Sequence, residues 1–288
     1  MGNVYLGLGE AKTAIALYEQ ALAIAQEIDD RDVERNSLAN IGRAYARLGD
    51  VEKTITRHNQ ALTLAREIGD RESEADAFRE LGLAYAGLGE AKKALTYHGQ
   101  ALALSREIGD RWGEKIDLLN LGSVHASLGE VSTAISYYER SLGIAQESRD
   151  REGELKALNN LGNAYCRLGK ADVAATYHEQ ALAIAREIGD HELEGGVLNC
   201  LGADNAALKK LDTALAFYKQ ALSVAQKSGD HAAKGKVFFN MGLAYADLGE
   251  VEQAMSCYEQ ARAIFGAIGS PEVQRVCVAL ELLESRKV

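Results

Sequence analysis

The chain has 288 residues, a formal net charge of -10 and a hydrophobic content of 47%. An acidic chain of this kind is not expected to bind nucleic acid or an acidic membrane surface through its whole exterior. The sequence has no run of eighteen apolar residues and no recognisable signal peptide, so we predict a cytoplasmic protein without membrane insertion.

The sequence repeats itself every forty residues without insertion or deletion. A fixed period of this size is typical of a stack of identical supersecondary elements, each packed on its neighbours. The repeat overrides the length of the chain, which by itself would suggest about two domains. It predicts a single solenoid over 1–288, marked by a glycine at Gly2, Gly42, Gly82, Gly122, Gly162, Gly202 and Gly242.

The period divides the chain into a partial first repeat and six complete ones. The first residues match the second half of a helix, so the first repeat lacks its beginning. Near the other end, Ser270 and Pro271 form a favoured helix start, which predicts a capping helix. The predicted ranges are 1–29 for the partial repeat, 30–69, 70–109, 110–149, 150–189, 190–229 and 230–269 for the complete repeats, and 270–288 for the capping helix.

Each repeat carries the pattern of two antiparallel helices, which we call helix A and helix B. In the repeat 70–109, Asp70 is suited to accept a hydrogen bond from the free amides of the first turn, and Gly89 stands where a left-handed cap ends the helix. Apolar residues three or four apart form one face of each helix. We predict helices A at 31–47, 71–87, 111–127, 151–167, 191–207 and 231–247, and helices B at 10–27, 50–67, 90–107, 130–147, 170–187, 210–227 and 250–267.

The repeated glycine lies inside helix A, where glycine costs about 1 kcal/mol relative to alanine. A cost repeated in every helix A indicates a packing reason. We predict a close approach of helix B, so that a side chain at Gly82 or Gly162 would push the two helices apart.

The small and aromatic positions of the repeat resemble the tetratricopeptide repeat (TPR) pattern, although the closing proline of that pattern is missing. The period and the Ile-Gly-Asp-Arg ending of helix B are similar to the Pins/LGN spindle-orientation adaptors, less closely to kinesin light chains, and bacterial regulators carry similar arrays. The resemblance implies an all-α, right-handed α-α superhelix (TPR solenoid) of about seven helix pairs plus a C-terminal capping helix. In the third repeat it rests on Leu81-Gly82, Tyr85, Gly89, Ala94 and Ala101.

Three histidines share one repeat position, at which other repeats carry tyrosine. They are His58, His98 and His178. This exchange favours a structural role as a flat, partly polar group between helices. Equivalent atoms in adjacent repeats are expected roughly 10 Å apart, which is too far for a shared metal whose ligands must lie within about 2 Å of it.

The four cysteines form no C-x-x-C pair and occupy four different positions of the repeat. We interpret them as reduced, small apolar residues. No Ser-His-Asp or Cys-His set can be proposed from the sequence, so we expect no enzyme activity, no cofactor and no metal. The cysteines are Cys166, Cys200, Cys257 and Cys277.

The repeat 190–229 departs most from the others. Asp204 replaces alanine, Asn205 replaces tyrosine, Lys209 replaces the cap glycine, and Gly195-Gly196 lies inside helix A. Two interpretations stay open: drift in a tolerant array, or a functional feature, which is either a soft joint or a place where the backbone of a ligand comes close.

In similar TPR arrays the A helices line a concave groove that holds a peptide, and the resemblance carries five groove positions over to each complete repeat. These positions hold six basic and two acidic residues, so the inner wall is predicted to be basic although the chain is acidic. We therefore predict a groove for a linear, acidic or mixed protein segment. The predicted groove residues are Asn36, Arg43, Arg47, Arg79, Leu119, Lys156, Asn159, Asn163, Arg167, Asn199, Phe239 and Leu243.

These observations favour a protein-protein interaction scaffold that binds proteins or peptides. One alternative is a sensor or regulatory array of a larger protein. Another is a structural solenoid that assembles with itself, since exposed solenoid ends could join copies of the chain. The expected state is a monomer or a weak oligomer formed through these ends, without nucleic acid as a partner.

Overall fold

The computed structural model describes residues 2–285, and this part of the chain contains helices and turns but no strand. The consecutive helices pack against one another in pairs. They are α1 (Gly2–Gly7), α2 (Ala11–Glu27), α3 (Arg31–Arg47), α4 (Val51–Ile68), α5 (Arg71–Gly87), α6 (Ala91–Glu107), α7 (Arg111–Ser127), α8 (Val131–Ser148), α9 (Arg151–Arg167), α10 (Ala171–Ile188), α11 (His191–Ala207), α12 (Leu211–Ser228), α13 (His231–Leu248), α14 (Val251–Ala267) and α15 (Val273–Ser285).

The predicted all-α helix-pair fold is confirmed, and five of the six predicted A helices match at both ends. Every B helix begins one residue later than predicted, because the predicted first residue is the cap with a non-helical backbone. Asp50, for example, has φ -84° and ψ 80°, and its side chain accepts a hydrogen bond from the amide of Lys53. The capping helix begins at Val273, two residues after Pro271. Its last predicted residues, 286–288, lie outside the described part.

Aspartates cap the A helices, as the sequence predicts. Each accepts a hydrogen bond from the backbone N–H three residues further on, over 2.8 to 3.0 Å. This bond satisfies one of the free amides of the first helical turn, and the charge suits the positive end of the helix dipole. The capping residues are Asp30, Asp70, Asp110, Asp150, Asp190 and Asp230.

The repeated glycine makes room for an aromatic ring of helix B. A Cβ atom added to Gly82 would lie 2.5 Å from Cε1 of His98, which is closer than packed atoms come. The structure therefore refines the predicted reason for the glycine: a ring from helix B occupies the space of its missing side chain. The seven pairs are Gly2–Tyr18, Gly42–His58, Gly82–His98, Gly122–Tyr138, Gly162–His178, Gly202–Tyr218 and Gly242–Tyr258.

The chain divides after Ile144 into two compact units, which we call the N-terminal half and the C-terminal half. In each half the core combines apolar residues of the B helices with apolar residues of helix A, one turn apart, that precede the glycine. Leu118 and Leu121 are buried in the N-terminal half, and Leu158 and Leu161 are buried in the C-terminal half. The single solenoid over 1–288 stays a prediction.

The contact between glycine and ring can be tested with two glycine-to-alanine substitutions in adjacent helices. Gly82→Ala in α5 is expected to lower the free energy of unfolding by about 1–3 kcal/mol, because its Cβ meets the buried ring of His98. Gly99→Ala in α6 has no atom within 4 Å of the new Cβ. Gly99→Ala is expected to raise the free energy of unfolding by up to about 1 kcal/mol. Chemical denaturation measures the free energy of unfolding of both variants. Equal changes in the two variants would contradict the contact between Gly82 and the ring of His98.

Candidate functional site

The predicted groove residues lie on the A helices. We call the surface that they form on α3, α5 and α7 the N-terminal A-helix face, and the surface that they form on α9, α11 and α13 the C-terminal A-helix face. Within each half, successive A helices are joined by side-chain hydrogen bonds. Arg43 on α3 donates from Nε to Oε1 of Glu80 on α5 over 2.8 Å. Asn240 on α13 donates from Nδ2 to Oδ1 of Asn199 on α11 over 3.0 Å.

Arg79 corrects the prediction of an exposed basic wall. Its side chain is buried, and its Nε donates to Oδ1 of Asp117 over 2.8 Å. Asp117 is fully buried and also accepts a 2.8 Å hydrogen bond from the hydroxyl of Ser105. The two charges of this buried ion pair neutralise each other, so Arg79 is not available to bind an acidic segment. The sequence does not reveal this ion pair, because Asp117 lies outside the five groove positions of its repeat.

The other two predicted arginines of the N-terminal half are also engaged. Arg43 pairs with Glu80 over 2.8 Å and lies 4.0 Å from Asp76. Arg47 is exposed and donates a 3.0 Å hydrogen bond to the backbone oxygen of Leu6. Acidic neighbours therefore compensate much of the positive charge on the N-terminal A-helix face. Asn36 is exposed and Leu119 is half-buried on the same face.

The C-terminal A-helix face carries amides and exposed basic residues. Asn163 is exposed and accepts a hydrogen bond from Sγ of Cys200 over 3.6 Å. Asn199 is half-buried, as is Asn159, whose Oδ1 is shielded and without a hydrogen-bond partner among the described residues. Lys156 and Arg167 are exposed on α9.

Two predicted apolar anchors lie on α13. Leu243 is 45% exposed and offers a free apolar surface. Phe239 is half-buried, because its ring centroid lies 5.8 Å from that of Tyr258 and the guanidinium carbon of Arg275 lies 5.3 Å from its ring. Phe239 is therefore partly covered by the capping helix α15.

The buried histidines occupy the ring position against the glycines. Burial lowers the pKa of His58 and of His98 from 6.5 to about 4, and none of their ring nitrogens has a hydrogen-bond partner in the described part of the chain. Both are thus neutral packing groups near pH 7. This agrees with the structural role that exchange with tyrosine predicts.

His178 differs from the other two because it has an acidic partner. Its Nδ1 lies 2.6 Å from Oδ2 of Asp204, and both side chains are 1% exposed. Burial alone would lower the pKa of His178, but the hydrogen bond to Asp204 and the nearby sulfur of Cys200 outweigh it and raise the pKa to about 9. The sequence showed Asp204 as a departure from the repeat but not its partner, which lies in the preceding repeat.

Residues 2–285 contain neither a cluster of metal ligands nor a membrane-spanning helix. No three His, Cys, Asp or Glu side chains in this range are arranged to hold a metal ion. None of the helices described there is both long enough and apolar enough to cross a membrane.

The helix pairs and the capped, glycine-marked A helices define an array of helical repeats. The sequence model of the tetratricopeptide repeat family matches residues 1–67, 34–107, 115–187 and 194–267. The chain belongs to the tetratricopeptide repeat family, as its sequence pattern predicts. A comparison with curated proteins found no match.

Several solved structures share this fold. BtubC (BKLC) from P. vanneervenii is 23% identical, with 76% of this chain and 92% of that one covered and a TM-score of 0.67. A STAND signal-transduction ATPase with a tetratricopeptide repeat sensor, from Pyrococcus horikoshii, is 18% identical over 98% of this chain and 43% of that one, with a TM-score of 0.78. A Rap protein complexed with competence and sporulation factor is 14% identical over 88% and 76%, with a TM-score of 0.65. At these identities the similarity establishes the fold.

The hydrogen bond between His178 and Asp204 predicts a pH dependence of stability that is opposite to that of His98. The pKa of folded His178 is raised above the unfolded value of 6.5, so its contribution is complete below pH 6.5 and is lost as the pH rises to about 9. Relative to His178→Tyr, the wild type is expected to lose roughly 3 kcal/mol of unfolding free energy over this interval. The measurement is urea denaturation from pH 5.5 to 9.5.

His98→Tyr is the matched comparison at the same repeat position. The pKa of folded His98 is lowered to about 4. The wild type is therefore expected to lose stability relative to this variant as the pH falls from 6.5 toward 4. A difference between wild type and His178→Tyr that does not change with pH would show that His178 is not charged in the folded protein.

Proposed function

We propose that this chain is a protein-interaction scaffold that binds a linear, acidic polypeptide segment on its C-terminal A-helix face. The observation that carries the proposal is the row of amides on neighbouring A helices. Asn163, Asn199 and Asn240 lie on α9, α11 and α13, and each of them takes part in a side-chain hydrogen bond. An amide side chain can donate and accept at once, which suits the peptide groups of an extended segment.

The charges of this face favour an acidic guest. Lys156, Arg167 and Lys236 are exposed on α9 and α13, and Lys156 is paired with Glu152 one turn earlier on α9. One acidic residue of this face, Asp247, is paired with Lys209 over 3.2 Å. Positive charges around the amides would attract an acidic segment and select against a basic one.

The proposed binding surface is shorter than the groove that the sequence predicts, because it is limited to the C-terminal A-helix face. The N-terminal A-helix face contributes less to binding an acidic guest, because Arg79 is buried against Asp117 and Arg43 pairs with Glu80. Leu243 supplies an apolar contact next to the amides of the C-terminal A-helix face. A segment that must become ordered on binding is expected to bind with moderate affinity.

The fold neighbours are compatible with this function and with one alternative. One of them is a Rap protein complexed with a competence and sporulation factor. Another carries its tetratricopeptide repeats as the sensor of a larger signalling ATPase, and the present chain spans only 43% of that protein. The alternative is therefore that the same face is the sensor of a larger regulatory protein, in which the bound segment changes the activity of an attached domain.

The proposal is tested with linear peptides displayed on phage. Selection on the wild-type protein is expected to enrich acidic sequences, whose affinity is then measured by fluorescence polarisation. Affinity is expected to fall as salt rises, because salt screens the charges. The double variant Lys156→Glu/Arg167→Glu is expected to weaken binding at least about tenfold, in line with the loss of about 1.4 kcal/mol.

Lys219→Glu is the control, since Lys219 is exposed on α12, a B helix of the same half. This variant is expected to bind the acidic peptide with an affinity within about twofold of the wild type, because salt screens a charge far from the peptide. Selection that enriches no peptide, or affinity that falls with Lys219→Glu but not with the double variant, would reject the C-terminal A-helix face as the site. Sedimentation velocity over a wide concentration range separates a monomeric scaffold from the self-assembling alternative.

A further inference from the structure

Two successive clefts of the N-terminal A-helix face differ in what fills them. Between α5 and α7 the guanidinium of Arg79 lies against Asp117 and Ser105, with its Nε 2.8 Å from Oδ1 of Asp117. One repeat earlier, Ala39 and Ala77 stand at the positions of Arg79 and Asp117. These alanines line an open cavity of about 80 Å³ between α3 and α5, which we call the α3–α5 cleft. The cavity is several times larger than one water molecule needs, and it has room for a small planar group.

Two buried side chains that line the α3–α5 cleft carry polar atoms without a partner. Arg35 is 7% exposed, and its terminal nitrogens donate to Asp70 and Asp32, but its Nε has no hydrogen-bond partner among the described residues. His58 is 0% exposed, and neither of its ring nitrogens has such a partner in the same part of the chain. A buried polar atom without a partner is costly, so these atoms point to a polar ligand.

The unpartnered atoms require a ligand that both accepts and donates hydrogen bonds. Nε of Arg35 can only donate, whereas a neutral imidazole such as that of His58 has one donor and one acceptor. Asp76 and Glu80, which also line the cleft, add acceptors. A primary carboxamide meets both requirements, because its oxygen accepts and its nitrogen donates. A guanidinium can only donate and a carboxylate can only accept.

The charges that line the α3–α5 cleft favour a neutral ligand. They are those of two arginines and two carboxylates, namely Arg35, Arg43, Asp76 and Glu80. Nε of Arg43 lies 2.8 Å from Glu80, and a terminal nitrogen of Arg43 lies 4.0 Å from Asp76. A charged group of either sign would therefore meet like charges as well as opposite ones, and it would also lose its hydration.

We propose that the α3–α5 cleft binds the side-chain carboxamide of a glutamine or asparagine in a protein segment that lies on the N-terminal A-helix face. The carbonyl oxygen of the carboxamide accepts from Nε of Arg35, and its nitrogen donates to Asp76 or Glu80. The proposal rests on the scaffold function proposed above and adds a second site to it. The two sites share no residue, so a failure of one test leaves the other site unaffected.

Three planar molecules of nearly equal size test the proposal on the full chain. They are acetamide, which is neutral, acetate, which is an anion, and acetamidinium, which is a cation. NMR signals of Nε–H of Arg35 and of the ring nitrogens of His58 follow each titration. Acetamide is expected to shift these signals saturably, with a Kd in the millimolar range because the ligand is so small. The ring signals of His98, whose cleft is filled by Arg79, are expected to stay unchanged.

Acetate and acetamidinium are each expected to bind at least about tenfold more weakly than acetamide. The absence of a saturable shift with acetamide would show that the cleft holds only water, and this result would overturn the proposal. Equal affinity for acetamide and either ion would overturn it as well, since the cleft would then not select a carboxamide.

A triple variant fills the cleft with a guanidinium of the chain itself. Ser73→Gly/Ala39→Arg/Ala77→Asp copies the cleft between α5 and α7, where Gly113 leaves room for Arg79. A Cβ atom added to Gly113 would lie 2.7 Å from Nη2 of Arg79, which is why the variant includes Ser73→Gly. This variant is expected to weaken acetamide binding at least about tenfold, because the new guanidinium occupies the cavity. Unchanged affinity would place acetamide outside the cleft and contradict the proposal.

His58→Tyr is a simpler variant, since it copies the residue that Tyr138 provides at the same repeat position. It removes both ring nitrogens and is expected to weaken acetamide binding about tenfold, whereas His98→Tyr is expected to leave the affinity unchanged. Unchanged affinity in His58→Tyr would also contradict the proposed site.

Capped tripeptides test whether the carboxamide can come from a protein segment. Acetyl-Gly-Gln-Gly methylamide is expected to bind at least as tightly as acetamide, and its Gly-Glu-Gly counterpart about tenfold more weakly. Binding of acetamide without binding of the glutamine peptide would reject a protein segment as the source of the carboxamide.

Discussion

The contact between a glycine of helix A and a ring of helix B is the constraint on which the whole array depends. In all seven pairs the ring occupies the space of a glycine side chain, so helix A and helix B pack more closely than two larger residues would allow. Glycine weakens an isolated helix by about 1 kcal/mol relative to alanine. The buried ring offsets this cost, and the strict forty-residue spacing of the glycines follows from it.

The chemistry of the side chain at the ring position differs between repeats, although the position is buried in all of them. With tyrosine, the hydroxyl reaches a polar residue of helix A, as when Tyr138 donates to Ser123 over 3.4 Å. At His98 the ring nitrogens have no hydrogen-bond partner among the described residues, whereas at His178 the ring forms an ion pair with an acid of the next repeat. A position that only packs in one repeat can therefore form a buried ion pair in another without a change in the helices.

Much of the fold could be predicted from the sequence because its signals are local. An aspartate at a helix start and an apolar face repeat inside every forty residues, so the helix bounds were correct to within one or two residues. The ion pairs could not be predicted in the same way. Arg79 and Asp117 are 38 residues apart, and His178 and Asp204 are 26 apart, so each pair depends on how one repeat packs on the next. The prediction of an exposed basic wall was wrong at Arg79, because Arg79 is buried against Asp117 of the next repeat.

The most direct test of the glycine-ring constraint is a double-mutant cycle on Gly82 and His98. His98→Ala removes the ring and leaves space for the Cβ atom of Gly82→Ala. We expect Gly82→Ala to destabilise the wild type but to be neutral or stabilising in the His98→Ala background, with a coupling free energy of at least about 1 kcal/mol. Free energies of unfolding that add to within about 0.5 kcal/mol would contradict it, since they would show that the ring and the glycine do not constrain each other.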